Sequence, residues 1–172
     1  MGMNRNKRLR RVALLCCHFA RNLAYYKGGW DGQKFKGRDE FWATVNSNFL
    51  DICVLEWSKL FGDHSDKHHW KKIVDDKIIL KSTMFTKLGI TQTDFDNCWE
   101  SIKEYRDKFV AHLDSEEVMY IPVLDNIAWF AVIYYYNYVI KSCTNCYNMP
   151  VDLETYYNNC YSDAKNYYNK NC

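Results

Sequence analysis

Proline and glycine are scarce in this chain, with two prolines and seven glycines among 172 residues, which suits long helices with few tight turns. A strong charge imbalance is also missing. The net charge of +2 is too close to neutral to predict a nucleic-acid partner, so any such partner requires a local basic patch. No apolar run is long enough to span a bilayer. The best candidate, Ile127 to Ile140, is too short and carries four tyrosines and Asn137, so it reads as a buried helix. Basic residues 5 to 11 and Val12-Ala-Leu-Leu-Cys-Cys mimic a signal peptide, but His18 and Arg21 end the run without a cleavage pattern. Export and membrane association are therefore not expected, and a cytoplasmic setting is. The Gly-rich stretch Lys27-Gly28-Gly29-Trp30-Asp31-Gly32 has no preceding strand and no P-loop Lys-Ser pattern, so it reads as a turn continuing in a loop to Gly37.

What is present is apolar and aromatic. Hydrophobic residues make up 48% and aromatics 17%, which excludes a disordered chain and allows one sizeable core in a single domain over 1–172. Of eight cysteines, those at 16, 17, 53 and 98 fall on predicted helix faces as core residues would, fitting reduced thiols. Cys143-Thr-Asn-Cys146 lacks the second close pair a four-thiolate zinc site wants and the preceding strand of a redox CxxC, so incidental surface thiols are expected.

The periodicity predicts an all-α chain. A first helix over about 4–26 has the stripe Leu9, Val12, Ala13, Cys16, Ala20, Leu23 and Ala24. Its first turns carry Arg5, Lys7, Arg8, Arg10 and Arg11 against the helix dipole. This is ordinarily a solvated basic start, yet a phosphate would relieve it, which makes Arg8 and Arg11 candidate substrate contacts. A second helix over about 39–61, capped by Asp39, is expected to bury Phe41, Trp42, Val45, Phe49, Ile52, Cys53 and Leu60. Glu56 falls on that stripe and needs a partner, for which Arg21 is the expected one. His64, His68 and His69 lie near Asp63 and Asp66, but no Cys or Glu completes a ligand set, so no metal is assigned. A further helix or two over 71–88 ends at Gly89. Later helices are expected over 123–142 and 152–168, with a fraying tail after Tyr168.

The informative stretch is Tyr105-Arg106-Asp107-Lys108-Phe109-Val110-Ala111-His112-Leu113-Asp114. It closes a helix with apolar groups at 95, 98, 99, 102, 105 and 109, which either Thr91 or Thr93 can cap. A guanidinium can hold a phosphate and stabilise added charge during phosphoryl transfer. An imidazole can take a proton from a ribose 2′-OH, the nucleophile built into RNA. That reaction needs no cofactor. On a straight helix, however, Arg106 and His112 stand roughly 120° apart, which a two-fold dimer pooling both copies in one cleft would repair.

Arg-Asp-Lys-x-x-Ala-His-Leu-Asp closing the penultimate core helix resembles the Arg-x4-6-His motif of HEPN domains, in particular the abortive-infection (AbiU-like) branch of bacterial defence proteins. The resemblance extends to a first helix containing Ala20-Arg21-Asn22-Leu23-Ala24-Tyr25-Tyr26 and to the closing apolar helix. It implies a HEPN-like antiparallel bundle of four to five core helices plus a C-terminal helix. It also implies a homodimer, and a metal-independent endoribonuclease that leaves a cyclic phosphate, serving as a toxin or antiphage effector. By motif position Arg106 contacts phosphate, His112 does acid/base work, and Asp107 orients or tunes them; Lys108 is a further candidate RNA contact, and Arg21 and Glu56 a supporting pair. An antitoxin or defence partner is the protein partner this class implies. The chain departs from the family at Asp107, where many members have Asn, and at Asp114, where a subgroup paired with nucleotidyltransferases has Tyr. The alternative reading is a non-catalytic HEPN binding or scaffold module.

Overall fold

Asn4 starts the first helix, its side chain accepting the Asn6 N–H at 2.9 Å. The computed structural model describes residues 4–110 and 120–172. Helix α1 (Arg5–Gly28) buries the whole expected stripe and adds Cys17 and Phe19 to it. It is the axis of the fold, with α2 (Glu40–Trp57), α6 (Ile127–Ser142) and α7 (Leu153–Asn171) packed around it. Smaller helices α3 (Trp70–Ile73), α4 (Lys77–Leu88) and α5 (Gln92–Tyr105) close one side. The all-α expectation holds at that level: among the described residues seven α-helices accompany one two-stranded sheet. No helix among the described residues is long and apolar enough to cross a membrane.

That sheet is a hairpin where only a turn and loop were expected. Strands β1 (Trp30–Asp31) and β2 (Lys34–Phe35) pair antiparallel, Trp30 opposite Phe35, around Gly32 at φ +59°. The reason for the hairpin lies in Asn46 of α2, which is buried. Its Oδ1 accepts the Trp30 indole N–H at 2.9 Å, and its Nδ2 donates to the Tyr26 carbonyl at 3.0 Å and the Tyr168 hydroxyl at 3.1 Å. One amide thus ties α1, the hairpin, α2 and α7. The same point demands glycines: a Cβ on Gly29 would lie 2.6 Å from Asn46 Nδ2, and one on Gly28 2.6 Å from Ala164 Cβ.

Asn46 also corrects the expected face of α2. The buried side is Asn46, Leu50, Cys53, Val54 and Trp57, whereas Phe41 is 67% exposed and Ile52 38%. Trp42, Val45 and Phe49 are half-buried. The helix is turned toward its polar hub and away from the most apolar stripe. Glu56 is buried, as its register required, but Arg21 is not its partner. Lys59 Nζ lies 3.2 Å from it and His18 Nδ1 3.6 Å, because His18 is on the α2-facing side of α1. The charge of Arg21 is instead felt at Cys17, Tyr156 and Cys160, on the side of α7.

Two expectations about the C-terminal part also change. Cys143 and Cys146 form a disulfide, their Cα atoms 5.9 Å apart, because the chain leaves α6 extended at Cys143 and turns at once. Asn6 Nδ2 donates to Thr144 Oγ1 across this turn at 2.9 Å. The last helix is longer than expected: α7 runs past Tyr168 to Asn171, Lys36 donates to Asn169 at 3.0 Å, and the Arg38 guanidinium donates to the Cys172 carbonyl. Removing the hub should be costly, since three partners, one of them the buried Tyr168 hydroxyl, lose their bonds at once. Asn46→Ala is expected to lose about 2–4 kcal/mol in urea unfolding. A loss below about 1 kcal/mol would show that the junction has other support.

Candidate functional site

Helix α5 begins with a complete capping box. Thr91 Oγ1 accepts the Asp94 N–H at 3.2 Å, and Asp94 Oδ2 accepts the Thr91 N–H at 2.7 Å. Phe95, Ile102 and Tyr105 are its buried face. Tyr105 also donates its hydroxyl to Asp51 Oδ1 at 2.9 Å, and burial together with that carboxylate pushes the phenol well up. The end of α5 is therefore pinned to α2.

At the next residue the α-helix stops. Arg106–Val110 is a π-helical turn, so the 120° separation reckoned for a straight helix does not apply beyond Arg106. His112 and Asp114 lie outside the described residues. Arg106, with 24% of its side chain exposed, donates Nε and Nη2 to Asp107 Oδ1 at 2.8 and 2.6 Å. Lys103 reaches Asp107 Oδ2 at 2.9 Å. Burial alone would raise the Asp107 carboxyl, but the bonds from Lys103 and Arg106 outweigh it and hold the group low and ionised. Lys108 pairs with Glu104 at 2.9 Å. The turn thus presents an oriented guanidinium backed by a carboxylate.

Arg106 leans on the segment that follows α2. That segment begins as a second π-helical turn, Ser58–Gly62, and a Cβ on Gly62 would meet Arg106 Nη1 at 3.9 Å. Asp63 is held below its usual range by hydrogen bonds with Ser65 and, more weakly, by the Arg106 charge. Arg8 meets the later part of the same segment, lining a cavity of about 190 Å³ with Arg5, Lys72 and Ile73. Arg5 is already paired with Asp75 at 2.7 Å, whereas the buried Arg8 Nε has no partner among the described residues. Arg11 is exposed, its charge felt at His68. The structure therefore places Arg106, Asp107 and Lys108 on one turn and Arg8 and Arg11 on a separate patch, joined to it through residues 62–74.

Two of the histidines within that segment, His68 and His69, are held by hydrogen bonds. His69 is buried, its Nε2 donating to the Phe61 carbonyl at 3.0 Å and its Nδ1 accepting the Lys71 N–H at 3.2 Å. Both nitrogens are used, which fixes the neutral tautomer, and burial pushes the imidazole down to about 4. His68 Nδ1 lies 2.9 Å from Asp66, and the His68 carbonyl accepts the Tyr135 hydroxyl at 2.8 Å. His64 stacks on His69 with ring centres 4.7 Å apart. Among the described residues no three His, Cys, Asp or Glu side chains converge to hold a metal ion.

Beside this knot is a cavity of about 300 Å³ between the segment, α4 and α5. Phe61, His64, Trp70, Phe85, Phe95 and Trp99 supply its rings. Sequence periodicity assigns Trp99 to the core of α5, so the opening was not foreseen. The available signal was the repeat Gln92, Asp96, Trp99, Glu100, one helical face that mixes an indole with polar groups. No protein-family model matches the chain, and no curated protein or solved structure matches it either.

The His69 imidazole makes stability depend on pH. Its folded pKa lies below the unfolded value of about 6.5, so its contribution is complete above that pH and lost as pH falls toward 4. Urea unfolding of the native chain is expected to lose roughly 2 kcal/mol more between about pH 7 and pH 5 than that of His69→Gln. Equal falls in the two proteins would show that the imidazole is not held neutral.

Proposed function

We propose that this chain is a metal-independent endoribonuclease acting through Arg106 and His112, with Asp107 orienting the guanidinium. The observation that carries the reading is the change from α to π helix at Arg106, which sets an Arg–Asp pair at a break in α5, against Gly62. Single π-helical turns of this kind are frequent at functional sites. The resemblance of the 105–114 stretch to the HEPN motif supplies the class of reaction and a HEPN-like bundle. It also supplies the setting, a cytoplasmic toxin or antiphage effector that works as a homodimer with an antitoxin or defence partner.

The chemistry follows from those groups. His112, as base, removes the proton from a ribose 2′-OH, and the 2′-oxygen attacks the adjacent phosphorus. The bond from phosphorus to the 5′-oxygen breaks, and that oxygen takes a proton from an imidazolium, supplied by a second copy of the motif in a dimer. The products are a 2′,3′-cyclic phosphate and a 5′-hydroxyl. Arg106 offers its charge to the phosphorane oxygens, and Asp107 keeps the guanidinium from swinging away.

The test is incubation of the purified chain with a mixed single-stranded RNA pool and a chelator. Cleavage by the native protein should fall by about 10²-fold or more in both Arg106→Ala and His112→Ala. A folded, dimeric native protein that leaves the RNA intact would replace this reading with a non-catalytic binding module. Cleavage undiminished in His112→Ala would remove the assigned base.

A further inference from the structure

The 300 Å³ cavity beside the Arg106 turn has a lining that points to a ligand class. Its floor is aromatic: Phe61, Trp70 and Phe95 are buried there, while Trp99 and Phe85 are only partly covered. Two ammonium groups stand over this floor. Lys71 Nζ lies 5.7 Å from the Trp70 ring centre and Lys81 Nζ 5.4 Å from that of Phe85. Neither has a carboxylate within ion-pair distance among the described residues, unlike Lys27, Lys59, Lys103 and Lys108. On the α5 wall stand the carboxylates of Asp96 and Glu100, with the Gln92 amide donating to Asp96 at 2.6 Å.

These three kinds of group exclude simpler ligands. A purely apolar molecule would cover the lysines and carboxylates without replacing their water. A bare anion would use the lysines and leave the rings exposed. A free cation would suit the rings and carboxylates but would face two ammonium groups. A nucleotide meets all three, since its base has a flat π face, its phosphate suits the lysines, and its ribose hydroxyls and exocyclic amine suit carboxylate acceptors. A volume of about 300 Å³, at the low end of ligand cavities, accommodates one nucleotide and not an oligomer.

We infer that this cavity binds a single unpaired nucleotide, its base against Trp99 and Phe85 and its phosphate at Lys71 and Lys81. Its position gives that occupant a use. Phe61 and His64 line the cavity, and the residues between them, Gly62 and Asp63, are those that meet Arg106 or sense its charge. A base held here would anchor an RNA strand next to the guanidinium. The link to RNA rests on the ribonuclease reading, whereas the nucleotide class rests on the lining alone.

The experiment is a binding titration of the full chain, by anisotropy with a labelled single-stranded RNA 12-mer and by calorimetry with AMP, in chelator and in the His112→Ala background so that cleavage does not intrude. Trp99→Ala should weaken binding about 10-fold, and Trp99→Phe should keep most of the affinity. Lys71→Ala with Lys81→Ala should weaken it and lower the salt slope by about one to two. Lys71 is exposed and Lys81 half-exposed, so the lysine pair tests the site even if Trp99→Ala does not fold. RNA binding that responds to these changes supports a strand subsite. AMP binding that responds, without RNA binding, supports the cavity as a free-nucleotide site. Native affinity in the Trp99 and lysine variants, or no binding of either probe, overturns the inference. Failure of the ribonuclease reading would differ: binding would persist and respond to the cavity variants while the native chain cleaved nothing.

Discussion

The carboxamide of Asn46 is the constraint on which the packing of this chain turns. A buried side chain amide must satisfy both its oxygen and its nitrogen, and few arrangements do so. Here the solution draws in the last turn of α1, the Trp30 indole of the hairpin and the Tyr168 hydroxyl of α7. The bonds come first in explaining the shape around them. Gly28 and Gly29 allow the close approach, and α2 rotates so that Asn46 faces inward although Phe41 is left in solvent. An apolar residue at position 46 would leave α2 free to bury its more hydrophobic stripe.

A second polar knot governs the opposite end of α2. His69 joins the Phe61 carbonyl to the Lys71 amide, and Tyr135 of α6 holds the His68 carbonyl. Residues 63–69 are irregular, yet this pattern ties them and their flanks to fixed partners. They form a wall with Arg106 against one part of it and the aromatic cavity beside it. The proposed chemistry and the proposed nucleotide subsite are therefore neighbours through one stiff stretch of backbone, which is what positioning a strand beside a guanidinium requires.

Much of this was legible beforehand. The stripe of α1, the Asp39 cap, a threonine cap at 91 or 93 for α5, the stop at Gly89 and the burial of Phe95, Ile102 and Tyr105 all follow from local rules, which act over a few residues. Three readings failed for a shared reason. The face of α2, the partner of Glu56 and the pairing of Cys143 with Cys146 each depend on where distant or turning backbone puts a group. Glu56 found His18 because α1 presents that side to α2, and Lys59 because it follows three residues on; neither depends on Arg21. The spacing of His68 and His69 gave no hint of the bonds that hold them, to Asp66 and to the Phe61 carbonyl.

The sequence by itself determined the helical class, several helix caps, and a short stretch in which Arg106, Asp107 and His112 could do phosphoryl chemistry. Periodicity and capping carry that information because they are properties of neighbours along the chain. Only the tertiary structure decided that α5 widens into a π turn at Arg106, that Asp107 locks the guanidinium, and that Trp99 borders a cavity instead of filling a core. Those outcomes depend on Gly62, Trp70 and Phe85 arriving from elements far away in sequence. A side chain's role is set by what meets it, and that contact is not written in its own spacing.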